Sequence, residues 1–196
     1  MFHKREICTL VLAAAALLQG CAAAVVGAIV VADVAHDRRA ANVVVDDRNI
    51  QLTATSELNK HKELVRDDND IKVVVYDGTM LLAGQVRSAD LKALAEKTVA
   101  GIDGVKRLVN AIEVTTDPEG FWRRREDNTL TARVKTGLFD IQSLPGFDPS
   151  RVNVTTSHGV VYLMGLVSRA EAEEVTSVAR ETGGVGKVVK LFEYTD

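Results

Sequence analysis

A chain of 196 residues, 46% apolar and 26% charged, has the composition of a globular protein of one or two domains. Its formal net charge of −3 supplies no global basic field, which excludes nucleic acid as a partner held by overall electrostatics. An anionic partner has to meet a local patch.

Residues 1–20 read as a signal peptide. His3, Lys4 and Arg5 form the positive region, and Ile7 to Leu18 is an apolar run too short to span a bilayer. It ends in Leu18-Gln19-Gly20-Cys21, which resembles a bacterial lipobox and implies lipid attachment at Cys21. The other cysteine, Cys8, lies in the segment to be removed, so the mature chain has no disulfide. In bacterial lipoproteins an Asp after the modified cysteine favours the inner membrane; Ala22 stands there and points by resemblance to the outer one. Residues 21–45 are expected to be the lipidated N-terminus and tether. Their run Ala22 to Ala32 is apolar but too short to cross, and Asp33 to Asn42 is polar.

From Asp47 onward the chain repeats with a period of about eighty residues. Ile50, Ala54 and Leu58 mark the inner face of an amphipathic helix, and Leu130, Val134 and Leu138 mark its copy. Asp47 and Asp127 precede them as N-caps or first-turn acids. Ile71, Val73 and Val75 alternate along a strand that turns at Asp77-Gly78 into Leu82, Gly84 and Val86. The copy runs through Val152, Val154 and Thr156, turns at His158-Gly159 and continues through Leu163, Gly165 and Val167. Gly84 and Gly165 mark a bulge or a close helix approach. Ser88 and the box Ser168 to Glu171 start a second helix in each copy. Leu91, Leu94, Ala95 and Thr98 face inward in the first; Ala172, Val175, Val178 and Ala179 do so in the second. Gly101 to Gly104 and Gly183-Gly184 end these helices. A last strand follows in each, Val105 to Val114 and Val185 to Tyr194. It returns through a helix and should run parallel to the second strand. Each module is therefore α-β-β-α-β, with a three-stranded mixed sheet on two helices. The boundaries are 46–115 for module 1, 116–125 for a linker and 126–196 for module 2. Modules of this size have small cores, so docking between them is expected.

The order α-β-β-α-β with Val152-x-Val154, Gly159 and Val161-x-Leu163-x-Gly165-x-Val167 resembles the BON domain. With the lipobox, Asp37-Arg38-Arg39 and Asp46-Asp47 added, the chain resembles dual-BON outer-membrane lipoproteins over nearly its whole length. The resemblance implies an α+β fold of two tandem BON modules on the periplasmic face of the outer membrane. It also implies binding of anionic phospholipid through the second module, support of envelope integrity and enrichment at the division site. The alternative it carries is a periplasmic protein-interaction scaffold serving outer-membrane protein assembly or control of cell-wall amidases.

The local candidate for a binding surface is the start of module 2. Trp122, the only tryptophan, is followed by Arg123, Arg124 and Arg125, and the next helix carries Arg133 and Lys135. An amphipathic aromatic beside cations suits an anionic membrane surface. The alternative is that Trp122 packs between modules and the arginines form a solvated linker. The family's lipid-contacting helix is the first of module 2, with an aromatic near its start. Thr129, next to Leu130, holds that place here, while Leu138 and Phe139 offer apolar contact at the helix end. His36, His61 and His158 are too scattered for a metal site. Asp67-Asp68-Asn69-Asp70 lacks the glycine and glutamate of a calcium loop. No phosphate loop, nucleophile elbow or paired acid and base appears, so the chain is expected to be non-enzymatic and without cofactor.

Overall fold

The computed structural model describes residues 37–66, 69–116 and 121–196, the side chains of 121–124 excepted. The leader, Cys21, the apolar run after it, His36, Asp67 and Asp68 lie outside the described residues. Residues 38–196 form one compact unit.

Module 1 contains α1 (Ala41–Asn59), β1 (Asp70–Tyr76), β2 (Thr79–Val86), α2 (Ala89–Val99) and β3 (Arg107–Val114). Module 2 contains α3 (Phe121–Phe139), β4 (Val152–Ser157), β5 (Val160–Val167), α4 (Arg169–Glu181) and β6 (Lys187–Tyr194). Each sheet has its hairpin strands antiparallel and its last strand parallel to the middle one. The strand orders are β1-β2-β3 and β4-β5-β6. The mixed three-stranded sheets expected from the repeat are therefore present. Ser88 Oγ accepts from the Leu91 amide, and Ser168 with Glu171 closes the expected capping box.

Both hairpins turn through two residues of positive φ: Asp77 at 45° and Gly78 at 73°, His158 at 52° and Gly159 at 74°. Such a turn leaves two successive amides unpaired by the ladder. They decide the role of Asp47 and Asp127, which are not N-caps. The helices begin earlier, at Ala41 and Phe121, so residues 121–125 of the expected linker are already helical. Each aspartate is the seventh residue of its helix and reaches across to the turn. Asp47 accepts from the amides of Asp77 (2.6 Å) and Gly78 (2.8 Å). Asp127 accepts from those of His158 (2.8 Å) and Gly159 (3.0 Å). A carboxylate has two acceptor oxygens, which matches two neighbouring donors.

Gly84 has φ +132°, and a Cβ there would stand 1.7 Å from the carbonyl oxygen of Asp70; at Gly165 the corresponding contact is Arg151 O at 2.8 Å. What comes close is the backbone of β1 at Gly84 and, at Gly165, that of the residue leading into β4, so of the bulge or close helix approach expected, no α-helix makes the approach. Gly84→Ala is expected to destabilise the protein by about 3 kcal/mol or more, and Gly165→Ala by less, read as shifts in the urea midpoint.

The strands alternate between two buried faces. Val75, Met80, Leu82, Val86 and Ile112 meet Ile50, Ala54, Leu58, Ala95 and Val99 in the core of module 1. Val154, Val161, Leu163, Val167 and Phe192 meet Val134, Leu138, Val175 and Ala179 in module 2. The opposite faces close on each other. Tyr76, Leu81, Ala83, Tyr162 and Met164 form a third buried cluster between the sheets, bordered by Val74, Val109, Leu166 and Leu191. The result is four layers, helices outside and two sheets within.

Polar contacts pin this seam. The Tyr76 hydroxyl accepts from the Leu166 amide at 3.1 Å. Lys72 Nζ donates to the Thr156 carbonyl (2.7 Å) and pairs with Asp127 at 3.4 Å. Arg39 pairs with Asp47 and lies 3.8 Å over the Tyr76 ring. Glu193 of β6 meets Asp77 of the first hairpin turn. Burial, and then Asp77, raise the Glu193 carboxyl above its ordinary value of 4.5, while Lys106 above all holds Asp77 below 3.8. Stability tied to Glu193 is therefore full at low pH and is lost as pH rises through its elevated value. Stability tied to Asp77 is present above 3.8 and lost as pH falls. Glu193→Gln should lose less Tm than the parent between about pH 4.5 and 7, measured by thermal scans.

Candidate functional site

Helix α3 lies in the outer layer of module 2, and its residues divide cleanly. At 100° per residue, Asp127, Leu130, Val134 and Leu138 fall on one arc, and all four are buried. Leu130 (7% exposed) and Leu138 (1%) belong to the interior. They are therefore removed from the candidate contacts with phospholipid. The opposite arc is exposed along its length: Arg125, Thr129, Ala132, Thr136 and Phe139 form its crown, with Arg133 on one flank and Lys135 on the other. Phe139 is 72% exposed at the helix end. Thr129 Oγ1 is spent on the Arg125 carbonyl at 3.0 Å. The backbone of Trp122, Arg123 and Arg124 is helical, while their side chains lie outside the described residues.

Charge separates this helix from its counterpart. Five arginines and lysines against two carboxylates give α3 a net +3, and one carboxylate, Asp127, is buried against Lys72. Helix α1 has one arginine against three carboxylates, a net −2. Its crown carries exposed Val45 and Leu52 at the places of Arg125 and Ala132. The same fold thus presents one cationic helix with an aromatic tip and one acidic helix with an aliphatic stripe.

An open cleft of about 920 Å³ lies in module 1 between α1, the hairpin turn and the loop after α2. Sequence periodicity gave no sign of it. Its wall mixes Asp46, Glu57 and Asp103 with Lys97 and Lys106, so no single sign of charge suits an anionic headgroup. The equivalent space in module 2, beside Asp127, Leu130 and Gly184, is about 230 Å³. His158 Nδ1 shares a hydrogen bond with Ser157 Oγ at 3.0 Å. Asn69 is buried and donates to the Glu63 carbonyl at 2.8 Å, as a polar loop residue does. Among the described residues no three His, Cys, Asp or Glu are gathered for a metal, and no helix is long and apolar enough to cross a membrane.

Residues 46–116 and 126–196 each match the BON domain. The chain is 33% identical over 189 residues to outer membrane lipoprotein DolP of Haemophilus influenzae, spanning 95% of each protein. It is 32% identical over 158 residues to the 21 kDa hemolysin of Actinobacillus pleuropneumoniae, covering 81% of this chain and 79% of that one. Osmotically-inducible protein Y of Escherichia coli is 28% identical over 145 residues, covering 73% and 70%. Two matched segments, each folded in the same α-β-β-α-β order, make this chain a member of the BON-domain family with two BON domains, akin along nearly its whole length to DolP.

Proposed function

We propose that this protein is an outer-membrane lipoprotein, acylated on Cys21, that binds anionic phospholipid through α3 and supports envelope integrity at the division site without catalysing a reaction. The full-length likeness to a protein named as an outer membrane lipoprotein supports the location. The observation that carries lipid binding is the crown of α3, where Phe139 is 72% exposed one turn beyond Lys135 on a helix of net +3. An aromatic set in such a ridge inserts at the headgroup level while the cations meet the phosphates. Each cation near an anionic leaflet contributes about 1 kcal/mol, so α3 orients the protein and selects lipid, while the acyl chains hold it.

Residues 37–196 should sediment with vesicles containing phosphatidylglycerol and remain in solution with phosphatidylcholine alone. A fragment starting at 46 would cut α1 and lose Arg38 and Arg39. Reversing Arg133 and Lys135 to glutamate changes the electrostatic term by about 4 kcal/mol before screening by salt. With Phe139→Ser added, binding should fall by at least about tenfold. Equal binding to both vesicles, or an unaffected triple variant, would sink the proposal.

A further inference from the structure

The chain joins the compact unit through two consecutive arginines, and each grips a different module. Arg38 reaches module 2. Its Nη1 and Nη2 donate to the two carboxylate oxygens of Glu171 at 2.6 and 2.8 Å, and Nη1 also donates to the Leu166 carbonyl at 3.2 Å. Arg39 reaches module 1, pairing with the buried Asp47 and stacking on Tyr76. Tyr76 in turn accepts from the Leu166 amide, the neighbour of the carbonyl held by Arg38. The two side chains therefore sit at one point of the seam. Burial pushes the Glu171 carboxyl up, but Arg38 and the Ser168 amide outweigh it and leave the group below its ordinary value. That balance agrees with a fork-on-fork ion pair.

This point lies at one end of module 2. Helix α3 runs towards this end from Asp127, which holds the hairpin turn at the other, and the chain beyond Phe139 leads to Val152, which pairs with Gly165 next to Leu166. Ser143 in that loop donates to Glu174 of α4 at 3.1 Å. Phe139 thus stands on the side of module 2 where Arg38 is fastened, and Arg125 stands on the side of the hairpin turn. The helix is about 28 Å long. Sixteen residues separate Cys21 from Arg38. A stretch of that length spans at most about 60 Å. Where the chain leaves the fold then decides which pole is most often presented to the membrane.

We infer that Arg38 and Arg39 are positioning residues that fix the departure of the acylated segment at the seam, so that the Phe139 pole of module 2 faces the lipid. This rests on the membrane reading for its consequence, though not for the clamp itself. Labelling the full acylated chain tests it, because acylation of Cys21 leaves an introduced thiol unique. In vesicles of phosphatidylethanolamine and phosphatidylglycerol, a spin label at Thr136→Cys should be shielded from a water-soluble nickel chelate, and one at Ser56→Cys should not. Arg38→Glu should raise the accessibility at 136 by about threefold, and Arg38→Glu with Glu171→Arg should restore the shielding. Circular dichroism guards against unfolding. Unchanged shielding in Arg38→Glu, or no rescue by the folded double variant, overturns the inference. If the parent's label at 136 is unshielded, the membrane reading fails with the orientation it implies. The clamp is then read from the Arg38 Nη–H NMR signals of residues 37–196, which should exchange slowly in the parent and quickly in Glu171→Gln. Fast exchange in both refutes it.

Discussion

Asp127→Ala should lower the stability of residues 37–196 by about 3–5 kcal/mol, among the largest effects a single substitution can have here. The carboxylate is 2% exposed and accepts from two turn amides. Lys72 completes its shell from module 1. Alanine removes all three partners at once and leaves the two amides at a turn whose φ values forbid easy relaxation. Against a total of about 5–15 kcal/mol, the loss leaves the protein marginal at 37 °C. Asp127→Asn keeps one acceptor oxygen and should lose roughly half as much. Asp47→Ala should match the alanine result in module 1, where Arg39 takes the place of Lys72. Asp140→Ala, exposed at the end of α3, should stay within about 0.5 kcal/mol and serves as the control. The measurement is the urea midpoint at constant slope. An Asp127→Ala shift no larger than that control would show that the carboxylate does not brace the turn.

The repeat made the fold legible. Helix faces, hairpin turns and the Ser88 and Ser168 caps all follow from local chemistry, so the elements follow in the expected order, although α1 and α3 start earlier and the last strands two residues later. What stayed hidden depended on partners distant in sequence. Asp47 and Asp127 look like caps because a cap and a brace are both acids placed before an apolar stripe. Only the hairpin, 30 residues away, separates the two roles. The site shows the opposite case. Leu130, Val134 and Leu138 already formed the inward stripe of the helix. A lipid contact at Leu130 and Leu138 asks one arc to do two jobs, and both side chains are buried instead. Phe139, one step round the helix, was free for the surface. The seam left a trace that periodicity arguments overlook. Leu81 and Ala83 in β2, and Tyr162 and Met164 in β5, alternate with the core residues yet are apolar themselves. A sheet apolar on both faces needs cover on both.

That second face supports the remaining large prediction. Leu81 is fully buried in the middle of β2 and points away from the helices of its own module, toward Tyr162 and Met164. Leu81→Asp puts a carboxylate into a sealed, largely apolar layer, where the hydroxyls of Tyr76 and Tyr162 are the side-chain donors of that cluster and cannot replace the water the charge loses. The expected loss is about 3–5 kcal/mol, and it falls on docking. The inward residues Met80, Leu82 and Val86 are untouched, so module 1 keeps its own core. Separation of the sheets would therefore convert a single cooperative transition into two, with a smaller denaturant slope for each. The hydrodynamic radius should grow before either module unfolds. Leu81→Met, of similar volume, should cost less than about 1.5 kcal/mol and keep one transition. If Leu81→Asp unfolds in a single step with the parent's slope, the two modules share one folding unit and the seam is as integral as the cores on either side.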